Sequence, residues 1–244
     1  MVLAIDIGNT RIKSAVFEND NLIEIFVFES TDVQKNILNI LKIYPEIEVL
    51  VASSVGKLGF EAFLFLDKKL KMEWITPDFL FPFKNLYQTP TTLGVDRMVL
   101  ASGAVLQFPN QNRLVIDAGT CVTYDFIDHQ NHYKGGAISL GLRLRYQALH
   151  NYTAKLPLLE TQSPLHYIGN STAESLHSGA VNGLLFEIEG FLKRYESDYA
   201  KFTIILTGGD AVFLAKRLKN TIFANSNFLL ESLNQTFQYK IKND

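Results

Sequence analysis

The chain has 244 residues, of which 47% are hydrophobic and 20% charged, with a formal net charge of −2 and one cysteine. This composition holds enough apolar surface to offset chain entropy, which excludes a disordered chain, and the small net charge gives no electrostatic reason for nucleic acid or an anionic membrane as partner. A lone cysteine, Cys121, excludes an intramolecular disulfide or a thiolate metal cage built within one chain.

No apolar run reaches the roughly 20 residues needed to cross a bilayer, and the N-terminus carries no basic leader, so a cytoplasmic location is expected. The three stretches 2–7, 12–18 and 22–28 read as consecutive strands, rich in valine, isoleucine and phenylalanine and separated by Gly8-Asn9-Thr10 and Asn19-Asp20-Asn21. Thr31 is the expected cap of a helix running to residue 43, with Val33, Ile37, Ile40 and Leu41 on one face and Pro45 beyond its end. A strand is expected over 48–55, a helix over 59–70 and a strand over 72–75, followed by a loop with Pro77, Pro82 and Pro90. Within that loop Phe79, Phe81 and Phe83 are expected to anchor the chain in the core. A helix is expected over 93–106.

The second half opens in the same way. Strands are expected over 113–118, 121–127 and 133–139, helices over 141–152 and 175–195, a strand over 203–207 and a helix over 213–219. A trio of strands carrying an acidic turn thus begins each half, which points to a duplication, with domains expected over 1–112 and 113–244. The apolar stripe Ala180, Leu184, Leu185, Ile188 and Phe191 suits either a buried helix within a domain or a contact between chains.

The repeated turn is the feature with chemical content. In Asp6-Ile7-Gly8-Asn9-Thr10 the glycine allows a tight bend, Asn and Thr offer donors to an anion, and Asp6 suits the hydrated divalent cation that accompanies a polyphosphate. Either copy alone is explained by hairpin chemistry, since Asn, Asp and Gly dominate such turns. The second copy, Asp117-Ala118-Gly119-Thr120, fits two turns that would face one another and grip a polyphosphate from both sides. Other nucleotide-binding signatures are missing: Gly56-Lys57 is followed by Leu58, which breaks a Walker loop, and no dinucleotide fingerprint is present. Gly208 and Gly209, at a strand end before a helix, suit close approach of a base or sugar to backbone. Asp96 and Arg97 enter a helix after a Pro and Gly loop, and their position alone leaves open whether they do more than complement the helix terminus and meet solvent. Cys121 reads as a small buried residue.

Asp6-x-Gly8-Asn9-Thr10, Gly94-x-Asp96-Arg97, Asp117-x-Gly119-Thr120, Gly135-Gly136-x-Ile138, Gly169-Asn170-x-Thr172 and Thr207-Gly208-Gly209, in this order and over nearly the whole chain, resemble the motifs of type III pantothenate kinases. The resemblance implies an α/β fold of duplicated ribonuclease-H-like (actin-like ATPase) domains, each a mixed sheet flanked by helices, with ATP in the interdomain cleft. It implies ATP-dependent phosphorylation of pantothenate, the first step of coenzyme A biosynthesis, by a homodimer. By the same resemblance Asp6, Ile7, Gly8, Asn9, Thr10, Arg11, Ile12 and Lys13 line the ATP phosphates with Mg2+, Thr120 touches ATP, and Gly208 and Gly209 lie by the adenosine. Asp117 would bind an activating monovalent cation, potassium or ammonium. Tyr87, Gly94, Val95, Asp96, Arg97 and Thr172 would form the pantothenate site, with Asp96 as proton acceptor.

The roles agree with the chemistry: Arg97 offers a charge-assisted fork to a carboxylate, and phosphoryl transfer asks of its base mainly that it orient a hydroxyl. A sugar kinase of the same superfamily would not carry Gly94-x-Asp96-Arg97, and a regulatory relative without catalysis would have lost Asp6, Asp96 or Asp117. One departure is Leu140, which stands before Gly141 where the family often has proline.

Overall fold

The structure is a computed structural model that describes residues 1–8, 11–56, 58–66, 70–199, 201–220 and 222–244. The chain divides into two compact units, the first made of Met1–Pro109, Asn131–Lys134 and Asn227–Asp244, the second of Asn110–Gln130 and Gly135–Ser226.

In the first unit β1 (Val2–Ile7), β2 (Ile12–Glu18), β3 (Asn21–Phe28), β4 (Val49–Ser54) and β5 (Lys71–Trp74) form a sheet of order β3-β2-β1-β4-β5. The central β1 runs antiparallel to β2 and parallel to β4. It is covered on both faces, which explains its nearly unbroken apolar run. Leu3, Ile5 and Ile7 join Ile37 and Ile40 of α1 (Val33–Ile43), whereas Val2 and Ala4 join Val99 of α2 (Val95–Gln107) and Leu230, Leu233 and Phe237 of α7 (Phe228–Asn243). Each fully buried Ile or Leu stabilises the fold by roughly 1.5–3 kcal/mol.

Several expectations are corrected. Thr31 does not cap α1: it lies in a 3-10 turn over Ser30–Asp32, and the N-cap residue, Asp32, makes no side-chain cap bond. Of the helix expected over 59–70, only the 3-10 turn Phe60–Phe63 forms, and residues 67–69 lie outside the described residues. The helical spacing misleads because Phe60 and Leu64 are exposed while Phe63 packs on Trp74. The sequence raised no expectation of α7. Its buried side includes Ser232, Asn234 and Thr236, which interrupt the apolar stripe by which a helix is recognised. Those small polar residues suit a close seam with α2: a Cβ on Gly103 would collide with Ser232 Oγ, and Thr236 Oγ1 donates to Ser102 Oγ at 2.7 Å.

The proline loop is anchored as expected. Its rings form a ladder, Phe79 to Phe81 at 6.1 Å, Phe81 to Phe83 at 5.4 Å and Phe83 to Tyr133 at 5.9 Å. A short strand, β6 (Lys84–Asn85), then pairs in parallel with His132 and Tyr133.

In the second unit β7 (Asn112–Ala118), β8 (Cys121–Ile127), β9 (His132–Leu140, which enters the unit at Gly135), β10 (Phe202–Thr207) and β11 (Phe223–Ala224) follow the order β11-β10-β7-β8-β9. Again the first strand is central, antiparallel to the second and parallel to the fourth. The duplicated sequence pattern is therefore a duplicated sheet. Helices α3 (Leu142–Asn151), α4 (Thr172–His177), α5 (Gly183–Asp198) and α6 (Ala211–Ala215) complete the unit, with a π-helical turn over Ser178–Asn182 between α4 and α5. Leu184 and Ile188 share a buried cluster with Ile116, Tyr124 and Phe126 of the strands, so the apolar stripe on this helix serves the unit's own core. Among the described residues no helix is long and apolar enough to cross a membrane.

Candidate functional site

Asp6 stands on β1 in register with Lys13 on β2 and Ser53 on β4. Residues paired in this way project from one face of a sheet, so an ammonium and a hydroxyl flank the carboxylate. Just beyond, Gly8 N donates to Arg11 O at 3.2 Å, and Ile7 O accepts from the backbone N–H groups of Val55 and Gly56, both at 3.2 Å. The chains are pressed together there: a Cβ on Gly56 would lie 2.8 Å from Gly8 O. Asn9 and Thr10 lie outside the described residues. Arg11 is exposed and sits 3.9 Å from Glu29, a surface pair of little energetic weight. Ile7 and Ile12 are buried in the core, which leaves only their main chain to meet a ligand.

The face of β1 that carries Asp6 is the face on which α2 packs, since Val2 and Ala4 share a core with Val95 and Val99. Gly94 is the N-cap of α2, and Asp96 lies in its first turn, where the helix dipole favours an anion. Arg97 N donates to Asp96 Oδ1 at 2.8 Å, and a Cβ on Gly94 would stand 2.5 Å from that oxygen. Glycine at 94 thus leaves room for the carboxylate. Arg97 is 6% exposed, and its guanidinium lies over the Tyr87 ring. Tyr87 is held in turn by its N–H to Asn85 Oδ1 at 2.9 Å, by Leu86 N to Tyr133 O at 3.0 Å, and by ring contact with Tyr133 at 6.1 Å.

In the second unit Asp117 on β7 is in register with Thr123 on β8 and Thr207 on β10. Gly119 N donates to Cys121 O at 2.9 Å, and Gly141 N to Thr120 O at 3.1 Å. A Cβ on Gly141 would overlap Gly119 O, so glycine is what lets this segment close on the turn. Leu140, the departure from the family pattern, accepts at its carbonyl from Arg145 Nε at 2.9 Å, and Arg145 is paired with Glu187. Gly208 has a φ of +94° and a Cβ there would collide with Asp117 Oδ1, whereas Gly209 has nothing within 4 Å and leaves its backbone open to approach. Cys121 is exposed, not buried as expected, because it opens β8 directly after the turn.

The two turns share one construction. Ile7 O receives Gly56 N, three residues beyond the hydroxyl that flanks Asp6, and Ala118 O receives Asp210 N at 2.9 Å, three beyond the hydroxyl that flanks Asp117. Sequence reasoning assigned nothing to Asp210, whose carboxyl is pushed up from its ordinary range by burial. Its place directly after Gly208-Gly209 was the available signal.

Thr172 belongs to the second unit. It opens α4 after Ser171, whose Oγ accepts from Glu174 N at 3.2 Å, and lines a pocket of about 720 Å³ with Leu149, Leu156, Asn170 and Leu176. The predicted residues Asp6, Lys13, Tyr87, Gly94, Val95, Asp96 and Arg97 therefore fall in the first unit, and Asp117, Thr120, Thr172, Gly208 and Gly209 in the second. Among the described residues no group of three or more His, Cys, Asp or Glu side chains gathers to hold a metal. A single carboxylate such as Asp6 nonetheless fits Mg2+, which keeps waters and takes one or two carboxylates beside substrate phosphates.

The family model described as type III pantothenate kinase matches residues 2–194. A type III pantothenate kinase from Flavobacterium johnsoniae is 62% identical over 244 residues, covering 100% of both chains. Among solved structures, a candidate Baf family transcriptional activator from Campylobacter jejuni is similar with a TM-score of 0.66 at 22% identity, covering 98% of this chain and 99% of that one. The activator of the 2-hydroxyisocaproyl-CoA dehydratase from Clostridium difficile, with bound ADPNP, is similar with a TM-score of 0.57 at 12% identity, covering 99% and 96%. At those identities the likeness concerns the fold, which is the α/β arrangement of mixed sheets flanked by helices found in actin-like ATPases and sugar kinases.

Proposed function

Because the chain belongs to the type III pantothenate kinase family and is a kinase that phosphorylates pantothenate with ATP, we propose that the first turn of α2 is where the acceptor is held and deprotonated. The observation that carries this reading is the pair Asp96 and Arg97, with the carboxylate oriented by the Arg97 N–H at 2.8 Å and the guanidinium almost wholly buried. Arg97 receives the pantothenate carboxylate as a charge-assisted fork, Tyr87 supports it, and Asp96 orients the hydroxyl and takes its proton. Phosphoryl transfer through a loose transition state moves that proton late, so an ordinary aspartate suffices. Thr172 is read, on the family resemblance, as a further hydroxyl for the acceptor.

Residues 6–13 hold the ATP phosphates through main-chain donors and Lys13, with Thr120 against the nucleotide and Gly208 and Gly209 by the adenosine. Mg2+, when bound, neutralises phosphate charge, and Asp6 is the carboxylate that would hold it. Asp117 holds a monovalent cation, potassium or ammonium. The working unit is a homodimer, which would cover apolar side chains of the second unit such as Leu165, Tyr167, Ile168 and Phe186 that are exposed in the single chain. A reducing cytoplasm suits the exposed thiol of Cys121.

The test is ADP release by the purified protein with ATP and Mg2+, with pantothenate set against a panel of sugars. Turnover dependent on pantothenate is expected. Turnover with a sugar and none with pantothenate overturns the reading.

A further inference from the structure

We propose that Thr123 and Thr207 complete, with Asp117, an all-oxygen site for a monovalent cation of the potassium or ammonium kind. The proposal rests on the reading of Asp117 as a cation ligand and extends it to two residues to which no role has been given.

The three residues occupy one row across three neighbouring strands, with Asp117 on central β7, Thr123 opposite it on antiparallel β8 and Thr207 opposite it on parallel β10. Paired positions share a face, so both hydroxyls stand beside the carboxylate. Thr207 is 1% exposed, and both Thr123 Oγ1 and Thr207 Oγ1 are buried with no hydrogen-bond partner among the described residues. A buried hydroxyl without a partner is destabilising, and native proteins satisfy such groups almost always. Valine has the same shape, favours strands as strongly, and would avoid the penalty. Two such hydroxyls beside one carboxylate point to a ligand that uses their oxygens.

The charge and chemistry of the row select the ligand. One carboxylate and two neutral hydroxyls carry a formal charge of −1 and only oxygen donors, which suits a hard cation of single charge. The duplicated first unit makes the contrast. Where Thr123 stands beside Asp117, Lys13 stands beside Asp6, so that carboxylate already has a cation next to it in the row. Gly208 belongs to the same arrangement, since any side chain there would crowd Asp117 Oδ1.

The test is thermal unfolding of the full chain in potassium chloride, ammonium chloride or choline chloride at equal ionic strength, for wild type, Thr123→Val, Thr207→Val, Thr207→Ser and Asp117→Asn. Wild type is expected to be stabilised by potassium or ammonium and not by choline. Each valine variant is expected to melt in choline at or above the wild-type temperature, because an unsatisfied hydroxyl has been removed. Each is also expected to need at least about tenfold more cation for half of the stabilisation. Thr207→Ser keeps the hydroxyl and should keep the response. A valine variant with an unchanged cation midpoint, or one that melts lower in choline, overturns the role of the threonines. If Asp117→Asn alone abolishes the response, only the threonine ligands fall. If wild type shows no response, or Asp117→Asn retains it, the reading of Asp117 falls and takes this proposal with it.

Discussion

The guanidinium of Arg97 lies 5.9 Å from the centre of the Tyr87 ring, at the outer edge of cation–π reach, and the side chain is nearly sealed from solvent. A planar cation held in this way is preorganised for bidentate contact with a carboxylate. Lysine at 97 keeps the charge and loses the fork. Arg97→Lys is expected to raise KM for pantothenate by about tenfold or more, with KM for ATP little changed, as measured by steady-state ADP release.

Asp96→Asn should separate chemistry from folding. The amide oxygen of asparagine can still accept from Arg97 N, so the helix start is preserved, while the proton acceptor is gone. A fall in kcat of about 10²- to 10⁴-fold is expected, with a melting temperature close to that of wild type. Near-normal kcat in this variant would remove Asp96 from its role.

Tyr133 is fully buried between Phe83 and Tyr87 and holds Leu86 through its carbonyl. Removing its ring withdraws the support behind Tyr87. Tyr133→Leu is expected to lower stability by about 1–3 kcal/mol and to raise KM for pantothenate more than KM for ATP. Chemical denaturation and the two KM values read the outcome.

The neighbouring glycines of the second unit should respond differently. Alanine at 208 meets a left-handed backbone and the carbonyl of Ala118, which occupies the space a Cβ needs, so Gly208→Ala is expected to destabilise the protein by at least about 2 kcal/mol. Gly209→Ala meets nothing within 4 Å, so its stability should stay near that of wild type while KM for ATP rises. Equal stability of the two variants in denaturant titrations would contradict this.

Asp210 sets a pH dependence. Burial raises its folded pKa above the unfolded value of about 3.9, so the folded state holds the proton more tightly. Its contribution favours folding below the unfolded pKa and is lost as pH rises through the folded one. Asp210→Asn is therefore expected to melt at or above wild type near pH 7, with the difference shrinking as pH falls below about 4. Melting curves across that range test the sign.

Strands β1, β2 and β8 lie where alternation and apolar runs place them, because a strand with both faces buried leaves a local record in its composition. Asp6 and Asp117 stand out for a related reason: an acid two residues before a glycine interrupts an apolar run, and such interruptions are visible one residue at a time, whereas the position of Asp96 left its role open. The segment 59–70 misled because its spacing carries no information on which side chains become covered, and α7 was missed because its buried seam is made of serine, asparagine and threonine.

Thr123 and Thr207 were silent for a deeper reason. Each is an ordinary threonine in a strand, and only the register of β8 and β10 against β7 brings both beside Asp117. The same holds for Tyr133 behind Tyr87 and for the return of the C-terminal helix to the first unit. The chemical types at the turns, the doubled strand pattern and the family can be read along the chain, since these are properties of neighbouring residues. The tertiary structure alone decided which distant side chains flank those turns, because strand register and helix packing are settled by burial of whole faces and leave no mark on any one stretch of residues.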